Sequence, residues 1–108
     1  MKPLKFAPNL VPLVLSDAKT TTWRLFDDKD LQQRDELALI NKETREQFAT
    51  ARIIAVSEKP LRELDDADLD GHEPYENEEK MLEDFRKYYG ERVTLESVVK
   101  IIKFELEK

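Results

Sequence analysis

Residues 16–30 read SDAKTTTWRLFDDKD, and the reading of this run decides how the rest of the chain is arranged. Lys19, three consecutive threonines, the only tryptophan (Trp23) and Arg24 stand side by side. β-Branched and aromatic residues favour a pleated, half-buried surface, so Thr20 to Leu25 is expected as a strand. Alternation puts Thr20, Thr22 and Arg24 on one face and Lys19, Thr21 and Trp23 on the other. Lys19 escapes that rule if it ends the preceding turn instead of entering the strand. A lysine, a hydroxyl and an arginine close together can hold a phosphate or polarise a carbonyl. The same residues also suit an ordinary strand with solvated cations and a core Trp23, and spacing alone favours this plainer reading.

Working outward, Leu4 to Phe6 is expected as a short strand, followed by a helix capped by Asn9 with Pro12 in its first turn. Leu10, Val11, Val14 and Leu15 would be its buried face. Phe26 to Gln33 reads as a charged loop. Glu36 to Asn41 and Phe48 to Val56 are expected as paired strands joined by the loop NKETRE. In the second of these, Phe48, Thr50, Arg52, Ile54 and Val56 share one face, and Ala49, Ala51, Ile53 and Ala55 the other. Leu61 to Leu64 reads as a helical turn. Asn77 to Tyr89 is the clearest helix, with Met81, Leu82, Phe85, Tyr88 and Tyr89 at helical spacing. Asn77 suits its N-cap and Gly90 its C-terminal turn. Val98 to Leu106 is a final strand with Ile102, Phe104 and Leu106 on one face. This order predicts an α+β fold: a small mixed β-barrel with helices packed at its openings, formed by residues 1–108 as one domain.

Composition narrows the partners. Cysteine is absent, which excludes disulfides, cysteine–zinc sites and cysteine nucleophiles and suits a reducing compartment. No apolar run approaches the roughly 20 residues that cross a bilayer, and the N-terminal apolar stretch is broken by prolines and Asn9, so a cytoplasmic protein is expected. The net charge is -6. It is unevenly spread: residues 63–84 carry 11 acids and one base, Lys80, which leaves 13 acids against 17 bases elsewhere. A mildly basic body beside an acidic segment is compatible with RNA or nucleotide binding on the basic side, and equally with a solvated surface.

His72 is the only histidine, and with no cysteine it cannot build a zinc site. No Ser-His-Asp arrangement is legible. The run DDADLDGHEPYE has the look of a calcium loop, but Asn77 stands where its bidentate glutamate belongs. No metal or cofactor is expected.

The segments SDAKTTTWR, RDELAL, ARIIAV, GHEPYENEEKMLEDFRKYYG and VVKIIKFEL together resemble the ASCH domain, a PUA-like β-barrel family, and look most like its archaeal members. The resemblance covers nearly the whole chain and rests on the pattern Lys-x-x-Thr-x-Arg with a glutamate-plus-helix segment downstream. It implies RNA binding in a cleft on the barrel. One branch of the family consists of amidohydrolases acting on N4-acetylcytidine through a lysine, a threonine three positions later and a downstream glutamate. These match Lys19, Thr22 and Glu73, and Arg24 matches the family's arginine. Arg34, Arg45 and Arg62 stand where the family carries glycines, which implies different turns or tolerated strain.

Three functions follow as expectations. The first is an RNA- or nucleotide-binding module using Lys19, Thr22, Trp23 and Arg24, with cations meeting phosphate and aromatic rings stacking on bases. The alternative is an amidohydrolase with Thr22 as nucleophile, Lys19 as base, Glu73 as proton shuttle and Arg24 steadying negative charge. The third, resting on charge alone, is an interaction protein using the acidic segment.

Overall fold

The computed structural model describes residues 1–26, 29–65, 68, 75 and 77–107. Its elements are β1 (Lys2–Phe6), a 3-10 turn (Pro8–Leu10), α1 (Val11–Leu15), β2 (Thr21–Leu25), β3 (Glu36–Asn41), β4 (Gln47–Pro60), a second 3-10 turn (Leu61–Glu63), α2 (Glu78–Tyr89) and β5 (Val98–Leu106). The strands form one mixed sheet in the order β1-β3-β4-β5-β2. β1 runs parallel to β3, and the other pairs are antiparallel. The sheet curls into a half-barrel whose free edges are β1 and β2.

Alternation along β5 divides the apolar residues between two cores. Ile102 and Phe104 face the barrel interior with Leu4, Phe6, Leu37, Leu39, Ala51 and Ile53. Val99 and Ile101 face the other way, with Trp23 and Leu25 of β2 and Met81 and Phe85 of α2. α2 therefore covers the outer face of β2 and β5. Val14 of α1 and Leu31 from the loop after β2 plug the interior core.

β4 is longer than its apolar pattern and is not a plain alternating strand. Phe48 is skipped between the pairs Leu39–Ala49 and Ile40–Gln47, and Ile54 between Ile53–Phe104 and Ala55–Lys103. Each extra residue shifts the alternation by one. Ile53 and Val56 consequently both serve the interior core, while Ile54 is 47% exposed. Strict alternation, which grouped Val56 with Ile54, fails at this bulge.

α1 also departs from expectation. Only Val14 of its five residues is buried, and Leu15 is exposed. Asn9 lies within the 3-10 turn and caps nothing; the residue at the cap position of α1 is Leu10, with no side-chain cap bond. Five residues make fewer than two helical turns, too short a stretch to present a continuous apolar face.

α2 follows its signals closely. The Asn77 side chain accepts a hydrogen bond from the Lys80 N–H at 2.8 Å, and Gly90 at φ 89° donates to Arg86 O. Tyr88 is the exception to the expected apolar face, at 63% exposed.

Arg34 and Arg45 adopt φ values of 77° and 66°. Both sit in the left-handed region that glycine occupies without steric cost, so the turns keep the glycine conformation and arginine tolerates it. Arg45 closes the hairpin between β3 and β4, donating to Asn41 O at 2.8 Å. The Asn41 side chain accepts from the Glu43 and Thr44 N–H groups at 2.9 and 3.3 Å, which tightens the same turn. Arg62 differs: it lies inside the second 3-10 turn, outside the left-handed region.

Two ion pairs fasten loops to the sheet. Lys2 meets Asp35 at 2.7 Å, and this hydrogen bond, with the Gln32 N–H, holds the Asp35 carboxyl below its ordinary range. Lys59 meets Asp68 at 2.6 Å and ties the acidic segment to β4. Burial works to raise the Asp68 pKa, but the Lys59 and Asp65 hydrogen bonds outweigh it and the net shift is downward.

Candidate functional site

The chain leaving α1 is turned back sharply. Leu13 O accepts from the Ala18 and Lys19 N–H groups at 2.9 and 3.0 Å, and Asp17 bends at φ 63°. Lys19 therefore stands before β2, outside its alternation. Its Nζ donates to Thr21 O at 2.9 Å, and the residue is only 3% exposed.

Within β2 the alternation holds. Thr22, opposite Ile102, and Arg24, opposite Lys100, face the barrel side. Trp23, opposite Ile101, faces the outer core, with ring centroids 5.9 Å from Tyr75 and 6.3 Å from Phe85. The Arg24 guanidinium donates to Lys5 O at 2.9 Å and lies 5.2 Å from the centre of the Phe6 ring. It thus bridges the two free edges of the half-barrel.

A cleft of about 190 Å³ opens along this seam. Lys5 and Phe6 of β1 line it on one side, and Thr22, Trp23 and Arg24 of β2 on the other, with Lys19 beside them. Phe85, Tyr88 and Tyr89 of α2, together with Tyr75, supply the aromatic wall. Lys42 enters from the end of β3, its Nζ 4.7 Å from the centre of the Tyr88 ring. Four cations thus share the cleft with Asp84, the one acid among its described lining residues.

Lys19, Thr22, Trp23 and Arg24 are therefore brought to one cleft. Trp23 is 5% exposed and serves as both core and cleft wall. Glu73 lies outside the described residues, as does His72. Among the described residues, no group of three or more metal-ligating side chains is gathered, and no helix is long and apolar enough to cross a membrane.

Sequence reasoning missed Lys5, Lys42, Tyr75 and Tyr88. Lys5 and Lys42 meet because β1 pairs with β3 in parallel, bringing Phe6 beside Asn41. That pairing is non-local and leaves no signature near either lysine. Tyr88 had a local signal: it lies one helical turn after Asp84, a polar position, and so on the flank of the apolar stripe.

The arrangement offers cations for a phosphate, aromatic rings for a base, and a buried hydroxyl and a buried lysine in the same cleft. A mixed half-barrel flanked by helices is a small α+β fold. More narrowly, it is the ASCH-type fold, so the resemblance seen in the sequence holds for the architecture. The chain is similar to protein EF3133 of Enterococcus faecalis V583, described under the family name DUF984, with a TM-score of 0.76, 17% identity, and coverage of 91% of this chain and 69% of that one. It is similar to hypothetical protein PH0355, with a TM-score of 0.73, 18% identity, and coverage of 99% and 100%. It is also similar to an ASCH domain from Lactobacillus crispatus JV V101, with a TM-score of 0.67, 13% identity, and coverage of 88% and 68%. No protein-family model and no curated protein matches the sequence.

Proposed function

We propose that the chain binds RNA or a nucleotide in the cleft between β1 and β2. The observation that carries this reading is charge against its background. The whole chain has a net charge of -6, yet four cations line this cleft with one acid among the described residues. Lys5, Lys42 and Arg24 meet phosphate oxygens, and Tyr88 and Tyr89 receive a base. A cytoplasmic location goes with this reading, since the chain has no cysteine to oxidise and its ligand class is found there.

Titration of labelled single-stranded RNA at low salt tests it. Binding should weaken with salt at a slope of about -0.7 in log K per log salt for each phosphate neutralised. Lys42→Ala should remove about one such contact without changing the fold. An RNA panel that shows no binding at low salt overturns the reading.

A second reading rests on a separate observation, the burial of Lys19 and Thr22 in the same cleft. In an amidohydrolase acting on an N4-acylcytidine, Lys19 works as the neutral amine that its burial favours: the Thr22 hydroxyl attacks the amide carbonyl and passes its proton to that amine. Glu73 delivers a proton to the leaving amine, and water then releases the acyl group from Thr22. Cytidine release from N4-acetylcytidine, followed for the native chain and for Lys19→Ala, Thr22→Ala and Glu73→Ala, decides it. Turnover that survives all three substitutions rejects the assignment.

A further inference from the structure

Arg24 also lines a second cavity, of about 290 Å³, together with Phe26, Glu58, Val98 and Lys100. Arg24 lines both cavities and so marks their boundary. The two also meet through a ring contact: Phe26 packs edge-on against Tyr89 of the first cavity, with centroids 5.7 Å apart.

Phe26 is an unusual residue to find there. It follows directly on β2, at φ 53°, in a region that bulky residues rarely occupy. It is also 44% exposed, so burial does not compensate for that conformation. At Arg34 and Arg45 the same region serves a turn, whereas at Phe26 it sets an exposed aromatic ring beside the cleft. The ring is held in place. The Arg92 guanidinium lies 3.9 Å from its centroid, and Arg92 Nε is itself fixed by a hydrogen bond to Tyr89 O at 3.2 Å. An aromatic ring backed by a guanidinium, with surface still open to solvent, is a ready platform for a nucleobase.

We propose that Phe26 is a second base-stacking site, so that the ligand is a single-stranded RNA of at least two nucleotides and not a lone nucleoside. This rests on the reading of the first cleft as a nucleotide site. One nucleotide occupies the cleft along the β1–β2 seam, and the strand passes Arg24. The next base stacks on Phe26 above Val98. The alternation of cation and aromatic along this path matches the alternation of phosphate and base along a strand.

The test compares cytidine monophosphate with a single-stranded RNA pentamer on the full chain at low salt, by calorimetry. The pentamer should bind at least about tenfold more tightly than the mononucleotide, the usual scale of one stacking contact. Phe26→Ala should remove that margin and leave mononucleotide binding unchanged, whereas Phe26→Trp should keep both. Equal affinity of the two ligands for the native chain overturns the second site while leaving the first cleft standing. So does an unchanged pentamer affinity in Phe26→Ala, with circular dichroism showing the variant folded. Failure of both ligands to bind the native chain overturns the cleft reading itself, and the second site with it.

Discussion

The two cores on either side of β5 are built differently. The interior core is mostly aliphatic and strand-borne, filled by Leu4, Leu37, Leu39, Ile53 and Ile102 around Phe6 and Phe104. Neighbouring strands hold these side chains through a continuous backbone ladder from β1 to β5. The outer core is centred on aromatic rings: Phe85 stacks near Trp23 on one side and near Tyr89, at 6.3 Å, on the other. It joins α2 to the sheet by side chains. The difference teaches where fold and site separate. The interior core holds the strands in place and reaches the cleft through Phe6, whereas the outer core supplies most of the aromatic wall, because Trp23, Phe85 and Tyr89 belong to both core and wall.

The comparison can be broken or sharpened by substitution. Leu39→Ala strikes the interior core, where Leu39 is fully buried. It should cost about 2–5 kcal/mol and lower the denaturant midpoint for every probe together. Loss from the Trp23 signal alone would contradict the division of labour. Phe85→Leu strikes the outer core and should cost only about 1 kcal/mol, since it trades stacked rings for a similar apolar volume. Its larger effect should be on the cleft: Trp23 emission should shift and RNA affinity fall while the far-ultraviolet spectrum stays native. Arg45→Gly touches neither core. It should relieve the left-handed strain in the β3–β4 hairpin and raise stability by about 1 kcal/mol, leaving ligand affinity unchanged.

Much of the fold was legible because it rests on local patterns. β3 and β5 have the bounds their alternation predicts, and α2 runs from the turn that Asn77 caps to Gly90. Patterns set by distant partners were not legible. The bulges at Phe48 and Ile54 exist because β4 must stay in register with β3 on one side and β5 on the other. Leu15 and Tyr88 are apolar or aromatic at helical spacing, yet tertiary geometry leaves them outside. Of the site, Lys19, Thr22, Trp23 and Arg24 lie close in sequence and could be singled out together. Lys5 and Lys42 could not, because only the parallel pairing of β1 with β3 carries them to the same cleft.

The unclosed seam has a consequence for self-association. A half-barrel has two bare sheet margins, and a bare margin invites a strand from another molecule to zip onto it. β1, at one margin, reads KPLKF. Pro3 offers no N–H for such a strand to accept, and it is tolerated because an edge strand need not donate at every position. Lys2 is taken up by Asp35, but Lys5 keeps a positive charge on the same margin, where a second copy would bring its own Lys5. The other margin, β2, shares the cleft with β1 and is in addition covered by α2. On the reading proposed above, the seam that admits a ligand is thus the same one that Pro3 and α2 guard against strand addition.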